Sequence, residues 1–280
     1  MSAKIKIICI IGPTASGKSA RALAVAKERN GEVISVDSRQ VYRGLDVGTE
    51  KMSAEEMNGI PHHLIDIREP EDTYTASEFV EDAERLIHDI CARGKVPILA
   101  GGTHFYFDSL LRALPKDTPR NENLQKELER LSTQELAERA ARLDPRRARE
   151  LDPKNRRRLI RALEILETHG EVPTRATSFR SDYDIEWMVL EVPLPQLRER
   201  IDARLARAFE NGLVAEVARV RERVGIERLS ELGLEYRIVG EYLRGERTED
   251  SLLPALSAKL WQYARRQRAW VRKLSEMKTS

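Results

Sequence analysis

The sequence predicts an α/β fold: a mostly parallel sheet with helices on both faces, carrying an all-helical insertion. Three observations predict it. Short apolar runs alternate with amphipathic helical stretches, the pattern of βα units whose strands are covered on both sides. The first apolar run passes through a glycine-rich turn straight into a helix. Between 116 and 184 the strand signal disappears and charged helical sequence replaces it.

Ile5–Ile11 is almost wholly apolar and reads as a buried strand; Ser19–Arg29, rich in Ala, reads as the helix after it. Val33–Val36 is a second strand, ending at Asp37. The stretch Thr75–Cys91 places Phe79, Val80, Ala83, Leu86, Ile87 and Ile90 at helical spacing. Val96–Ala100 is a third strand and runs into Gly101-Gly102-Thr103. From Pro115 to His169 the chain is charged and helical, interrupted at Asp144-Pro145 and Asp152-Pro153, where proline disfavours a helical residue before it. Strand character returns at Glu186–Val192, and the rest, to Lys273, is helical. The implied organisation is a core of residues 1–115 and 185–280 with a helical insertion at 116–184.

A chain of 280 residues suffices for such a core and one subdomain. Charged residues make up 34% but the net charge is only +2, so a polyanion would be met by local clusters and not by the whole surface. Cys9 and Cys91 support neither a disulfide framework nor a metal-ligand spacing, which points to a reducing, cytoplasmic setting. No run reaches the ~18 apolar residues that span a bilayer, and the first apolar run, ending in the glycine-rich turn, reads as a strand and not as a secretory signal. No membrane partner is expected.

That turn, Gly12-Pro13-Thr14-Ala15-Ser16-Gly17-Lys18-Ser19, is a P-loop in the strand-to-helix setting the motif requires, and it makes the expected core P-loop NTPase-like. Its glycines let backbone N–H groups converge on phosphate oxygens, and the helix N-terminus adds positive potential. Lys18 supplies a charge for the terminal phosphates and Ser19 a hydroxyl for Mg2+. The motif specifies phosphate and no particular nucleotide; a diphosphate satisfies it equally, and kinase, ATPase and GTPase all stay open. Asp37 is the one core-strand carboxylate placed beside the phosphates, because the third strand ends in Gly101-Gly102-Thr103. It is either a metal holder or a general base.

Further blocks follow in order: Asp37–Lys51 (Asp-Ser-Arg-Gln-Val-Tyr-Arg-Gly-Leu-Asp-Val-Gly-Thr-Glu-Lys), Pro61–Asp66, Tyr74–Phe79, Gly101–Tyr106, Asn155–Ile165, Asn211–Val214 and Tyr263–Gln267. With the P-loop before them they resemble the tRNA dimethylallyltransferase family, also called tRNA isopentenyltransferase or IPP transferase, from Ile7 to Trp270. Two places depart from the family pattern. Leu260-Trp261 stands where the family has Thr-Arg, and Gly233-Leu234-Glu235-Tyr236-Arg237 where Ile-Gly-Tyr is commoner.

The resemblance implies transfer of a dimethylallyl group from dimethylallyl diphosphate to N6 of the adenosine immediately 3′ of the anticodon, in tRNAs reading U-starting codons. It implies that the P-loop holds the diphosphate, with Mg2+ on Ser19, and that Asp37 is the general base with Thr103 beside it in the catalytic set. Asp37, Ser38, Arg39, Gln40 and Thr103 would line the channel receiving the adenosine. Arg157, Arg158, Leu159, Ile160 and Arg161 would contact the tRNA anticodon stem-loop, and the enzyme would act as a monomer. These residue types suit the chemistry. An exocyclic amine is a poor nucleophile until a proton leaves, a departing diphosphate needs its charge stabilised, and the base must leave its stack.

Two basic stretches acquire a meaning in that light. Residues 142–161 hold nine Arg or Lys against three acids, and Lys259–Lys273 holds six against none. Each can neutralise phosphates, and Trp261, Tyr263 and Trp270 within the second can stack on bases. A solvated helix face would carry the same residues, but beside the family blocks the RNA reading is preferred, with Arg158 and Arg161 sharing a face at i, i+3. His62 and His63 point to opposite faces of a strand and are expected to be structural or substrate-lining, not metal ligands. Arg200 and Arg204 either reach the diphosphate or form surface ion pairs; Glu216 and Glu235 receive no role. The alternatives are prenyl transfer to free adenine nucleotides, an ATP-dependent small-molecule kinase, and a non-enzymatic RNA-binding module. The long basic insertion favours tRNA over free nucleotides, and the missing carboxylate on the third strand weighs against the kinase.

Overall fold

The computed structural model describes residues 4–112, 121–170, 172 and 179–277. The chain forms two compact units, Met1–Leu111 with Ser178–Ser280, and Arg112–Thr177.

The first unit is the α/β part. Its strands are β1 (Ile5–Ile11), β2 (Gly31–Val36), β3 (His62–His63), β4 (Val96–Gly101) and β5 (Tyr183–Val189), in the spatial order β3-β2-β4-β1-β5. Every pairing is parallel, with Ile34 opposite Leu99, Ile8 opposite Ile98 and Ile7 opposite Ile185. Side chains along β1 alternate between two apolar layers, as a pleated strand covered on both faces requires. Ile8 and Ile10 pack with Ala22, Val25 and Ala26 of α1 (Lys18–Arg29). Ile7, Cys9 and Ile11 pack in the layer of Phe79, Ala83, Ile87 and Ile90 from α2 (Ala76–Ala92). A reciprocal capping box starts α2: Thr75 accepts from the Glu78 N–H and Glu78 accepts from the Thr75 N–H. α3 (His104–Leu111) follows β4.

After β5 come α8 (Leu194–Glu210), α9 (Leu213–Glu231), α10 (Leu234–Leu243) and α11 (Leu252–Met277); the four helices between α3 and β5 belong to the second unit. Leu197, Ile201 and Leu205 of α8, Val217 of α9 and Leu256, Leu260 and Ala264 of α11 join the α2 side of the core. α9 is broken at Gly225, whose φ of 72° and ψ of −179° no helical residue adopts. No helix among the described residues is long and apolar enough to cross a membrane.

The sheet order places the site. From β1 the chain crosses over the β4 position to reach β2, and from β4 it crosses over β1 to reach β5. The connections therefore leave β1 and β4 in opposite directions, and a crevice opens beyond their C-terminal ends, where open α/β sheets bind ligands. The P-loop, Asp37 and Gly102-Thr103 all follow strand C-termini at this edge. Gly101 has no alternative: a Cβ there would lie 2.1 Å from the Val36 carbonyl oxygen.

The sequence expectation differs at β5. The strand begins at Tyr183, not Glu186, and ends at Val189, not Val192, pairing from Ile5 opposite Tyr183 to Ile11 opposite Val189. It is an edge strand, and its Glu186 pairs with Lys6 of β1 at 3.4 Å and with Arg29 of α1 at 3.8 Å, so its polar residues blur the apolar signal. The expected boundary between 184 and 185 thus falls inside the core sheet; the one between 115 and 116 lies outside the described residues.

The second unit is helical: α4 (Glu122–Glu129), α5 (Thr133–Leu143), α6 (Pro145–Glu150) and α7 (Arg156–His169). Polar caps mark each start: Asn121, Ser132, Asp144 and Asn155 all accept a backbone N–H from the first turn. Leu128, Leu136, Ala140, Leu159, Leu163 and Leu166 form its own core.

Candidate active site

A cavity of about 960 Å³ lies at the C-terminal edge of the sheet and is lined by Lys18, Asp37, Thr103, Arg204, Glu235 and Tyr263, among others. Its floor is the P-loop. Ala15 (φ 59°) and Gly17 (φ 88°) turn the backbone back so that α1 starts with its N–H groups facing the crevice. Lys18 Nζ donates to the Pro13 carbonyl at 2.6 Å, folding the lysine over the loop. Burial lowers the Lys18 ammonium to about 8; Arg204 adds to the shift, while Asp37 and Glu50 oppose it. Ser19, at the exposed first turn of α1, lines the same cavity.

Asp37 follows the end of β2. Its Oδ1 accepts from the N–H of Arg39 at 2.8 Å and of Gln40 at 3.4 Å, an Asx-turn that orients the carboxylate. Thr103, after β4, accepts the Ser38 N–H at 3.0 Å, and its own N–H donates to Val36 at 3.1 Å. The ends of β2 and β4 are thereby tied side by side. The Gln40 side chain is engaged by the protein itself, accepting from Ser35 Oγ at 3.0 Å and donating to the Thr49 carbonyl at 3.2 Å. Asp37, Ser38, Arg39, Gln40 and Thr103 all line the cavity.

Arg204 lines the cavity and is ion-paired there. Only 12% exposed, its Nε lies 3.2 Å from Glu50, one terminal nitrogen lies 3.8 Å from Glu235, and the other donates to the Thr14 hydroxyl of the P-loop. Arg200 is exposed on the same helix. The residues without a sequence role have one here. Glu216, 2% exposed on α9, accepts the N–H groups of Asp46 (2.9 Å), Val47 (2.8 Å) and Gly48 (2.9 Å), and the Tyr236 hydroxyl at 2.7 Å. This pins the loop that carries Glu50 along the cavity wall. Burial, with Asp37 adding, raises the Glu235 carboxyl above the usual carboxylate range, against the pull of Arg204 and Arg39.

The aromatic and histidine residues singled out in the sequence take several different places. Trp270 stacks one ring face on His104 with centroids 4.3 Å apart and donates its indole N–H to Asp108 at 3.2 Å. Burial, with the Lys18 charge adding, lowers His104 to about 4 and keeps it neutral. Trp261 lies under the Arg198 guanidinium, 5.6 Å from it. Tyr263 does reach the cavity, its hydroxyl 3.4 Å from the Gly102 carbonyl. His62 Nδ1–H donates to the Ile60 carbonyl at 2.8 Å and His63 Nε2 meets Glu32 at 2.7 Å, both structural bonds at the edge of the sheet.

In the second unit, α7 carries Arg157 and Arg158 exposed, and Arg161 paired with Glu164 at 3.0 Å. Leu159 is 2% exposed in the core of that unit, so its side chain is withheld from any RNA, and Ile160 packs half-buried against the same core. The helical period causes this: Leu159, Ala162, Leu163 and Leu166 form the inner stripe, leaving the arginines outside.

Comparison with known proteins agrees with the geometry. A family model described as IPP transferase matches residues 40–274. A protein of Trichlorobacter lovleyi named tRNA dimethylallyltransferase 1 is 41% identical over 281 residues, covering 96% of this chain and 91% of its own length. A tRNA isopentenylpyrophosphate transferase structure from Bacillus halodurans is 35% identical with a TM-score of 0.70, over 96% of this chain and 87% of that one. A eukaryotic dimethylallyltransferase acting on tRNA is 28% identical with a TM-score of 0.82, over 96% of this chain and 70% of that one. The crevice with its P-loop and fixed Asp37, the family match and these likenesses lead to one conclusion: this chain belongs to the IPP transferase family.

Proposed function

We propose that this protein is a tRNA dimethylallyltransferase, moving the dimethylallyl group of dimethylallyl diphosphate to N6 of the adenosine immediately 3′ of the anticodon in tRNAs that read U-starting codons. One observation carries the reading: the phosphate loop and an oriented carboxylate, Asp37, line the same cavity. The N6 lone pair forms the new bond to C1 of the prenyl group. The C1–O bond breaks, and its electron pair leaves with the diphosphate. The N6 proton goes to Asp37 Oδ2, since Oδ1 is engaged by backbone N–H groups. Lys18, Arg204 and the P-loop amides take up the charge that develops on the leaving group.

The oxygen donors present suit Mg2+. Among the described residues no cluster of three metal-ligating side chains occurs, so Ser19 would hold the ion with diphosphate oxygens and water completing its shell, as this cation prefers. When bound, the ion supplies neutralisation of the diphosphate charge. Exposed Arg157 and Arg158 on α7 support contact with the anticodon stem-loop. The protein is proposed to act as a monomer, and Cys9 and Cys91, which are not joined in a disulfide, suit a reducing cytoplasm.

Incubation with radiolabelled dimethylallyl diphosphate, Mg2+ and either unmodified tRNA or AMP tests the proposal. Label in tRNA, mapped by nuclease digestion to the adenosine after the anticodon, is expected. Label in AMP alone, or ATP turnover without prenyl transfer, refutes it.

A further inference from the structure

We propose that Glu50 and Glu235 hold Arg204 as stand-ins for the diphosphate, and that exchange of these carboxylates for the ligand limits how tightly the site retains diphosphate. The proposal rests on the diphosphate reading above and adds residues that the reaction itself does not use.

Arg204 is 12% exposed and would be costly to bury without anionic partners. It has two, Glu50 at 3.2 Å and Glu235 at 3.8 Å, and both line the cavity that the phosphate loop floors. A third side of the guanidinium meets the Thr14 hydroxyl of that loop. Glu50 at Nε and Glu235 at one terminal nitrogen both hold the guanidinium at ion-pair distance, so a diphosphate reaching the P-loop competes with two carboxylates for the Arg204 charge. Each carboxylate also repels the incoming anion.

The carboxylates are built in. Glu50, at φ 50°, ends a loop whose Asp46, Val47 and Gly48 N–H groups are gripped by Glu216. Gly48 leaves no room for adjustment, since a Cβ would lie 2.9 Å from the Tyr236 hydroxyl. Glu235 precedes Tyr236, whose hydroxyl donates to the same Glu216. One buried carboxylate therefore positions both partners of Arg204. The arginine is aimed before any ligand arrives, and carboxylates wait to reclaim it when the product leaves. Burial favours the neutral Glu235 carboxyl; Arg204 and Arg39 oppose this and Asp37 assists it, so this partner yields its charge more readily than an exposed glutamate. Fast release matters where departure of a charged product limits turnover.

Titration calorimetry with inorganic diphosphate and Mg2+ at fixed ionic strength tests the exchange. Glu50→Gln and Glu235→Gln keep side-chain size and remove charge. Each is expected to lower the Kd about 3- to 10-fold, the scale of one nearby charge in a partly solvated site. Turnover at saturating substrates should fall while inhibition by product diphosphate strengthens; a merely structural lesion loosens binding instead. In an Arg204→Gln background the gain should vanish. Unchanged or weaker diphosphate binding in both single variants overturns the exchange, as does a gain that survives without Arg204. Glu50 is 45% exposed, so its variant remains informative even where Glu235→Gln impairs folding. A wild-type protein that fails to bind diphosphate overturns the functional reading itself, before any variant is compared.

Discussion

Gln267 joins the phosphate loop to the end of β4 through Thr14. Its Oε1 accepts the Thr14 N–H at 2.7 Å, and its Nε2 donates to the Gly102 carbonyl at 3.0 Å. The side chain is 1% exposed, and a Cβ on Gly102 would lie 2.6 Å from Nε2. A residue on the last helix thus fixes the spacing between the phosphate site and the strand end that carries Thr103. Gln267→Leu removes the partner of the Thr14 N–H and leaves the Gly102 carbonyl only the longer bond from the Tyr263 hydroxyl, and should cost about 1–3 kcal/mol. Urea unfolding measures that loss, and the KM for dimethylallyl diphosphate should rise with it.

The depressed Lys18 ammonium makes diphosphate affinity pH-dependent. Its free-enzyme value is about 8, against 10.5 for an ordinary lysine, so between these values the empty folded protein binds fewer protons than the unfolded chain. Stability of the empty protein therefore rises with pH across that window. Bound diphosphate favours the charged ammonium, so binding takes up a proton and weakens as pH rises above about 8. Calorimetry in buffers of different ionisation enthalpy reads the uptake. Lys18→Arg, which stays charged, should lose it; ionisation of the ligand is common to both proteins and cancels.

Asp37→Ala should lower kcat by about 10²- to 10⁴-fold, the usual worth of a positioned general base, while tRNA binding persists. Single-turnover kinetics beside a filter-binding titration separates the two. Asp37→Asn retains the Asx-turn acceptor and should fold normally yet remain inactive. Turnover near the wild-type level in either variant would remove Asp37 from the role of base.

Arg158→Ala, on the exposed side of α7, should weaken tRNA binding and reduce the salt slope by about one. Leu159→Ala should instead destabilise the helical unit by about 2–5 kcal/mol, as truncation of a buried leucine does. The pair distinguishes a phosphate contact from a core residue adjacent in sequence. An unchanged salt slope in Arg158→Ala would place the phosphate contacts elsewhere.

Local patterning made most of the α/β core legible. The apolar alternation of β1, the P-loop between strand and helix, Asp37 at one strand end and Gly102-Thr103 at another are readable because each depends on neighbours in sequence. β5 was legible only in part, because Asp184 and Glu186 interrupt its apolar run, Glu186 being held by ion pairs to Lys6 and Arg29. Arg204 did leave a signal: it falls three residues after Ile201 and four before Ala208, on the buried stripe of α8, which sets it apart from exposed Arg200.

The sequence by itself determined that a phosphate-holding turn starts the first helix and that a carboxylate ends the second strand. Only the tertiary structure decided which distant groups serve that turn. Glu216 holds a loop some 170 positions before it, Gln267 bridges Thr14 to Gly102, and Trp270 stacks on His104. Helices α8–α11 pack on the sheet through apolar stripes, whereas the polar residues that cross to the site have no periodicity of their own. Their partners are set by where the packing leaves them.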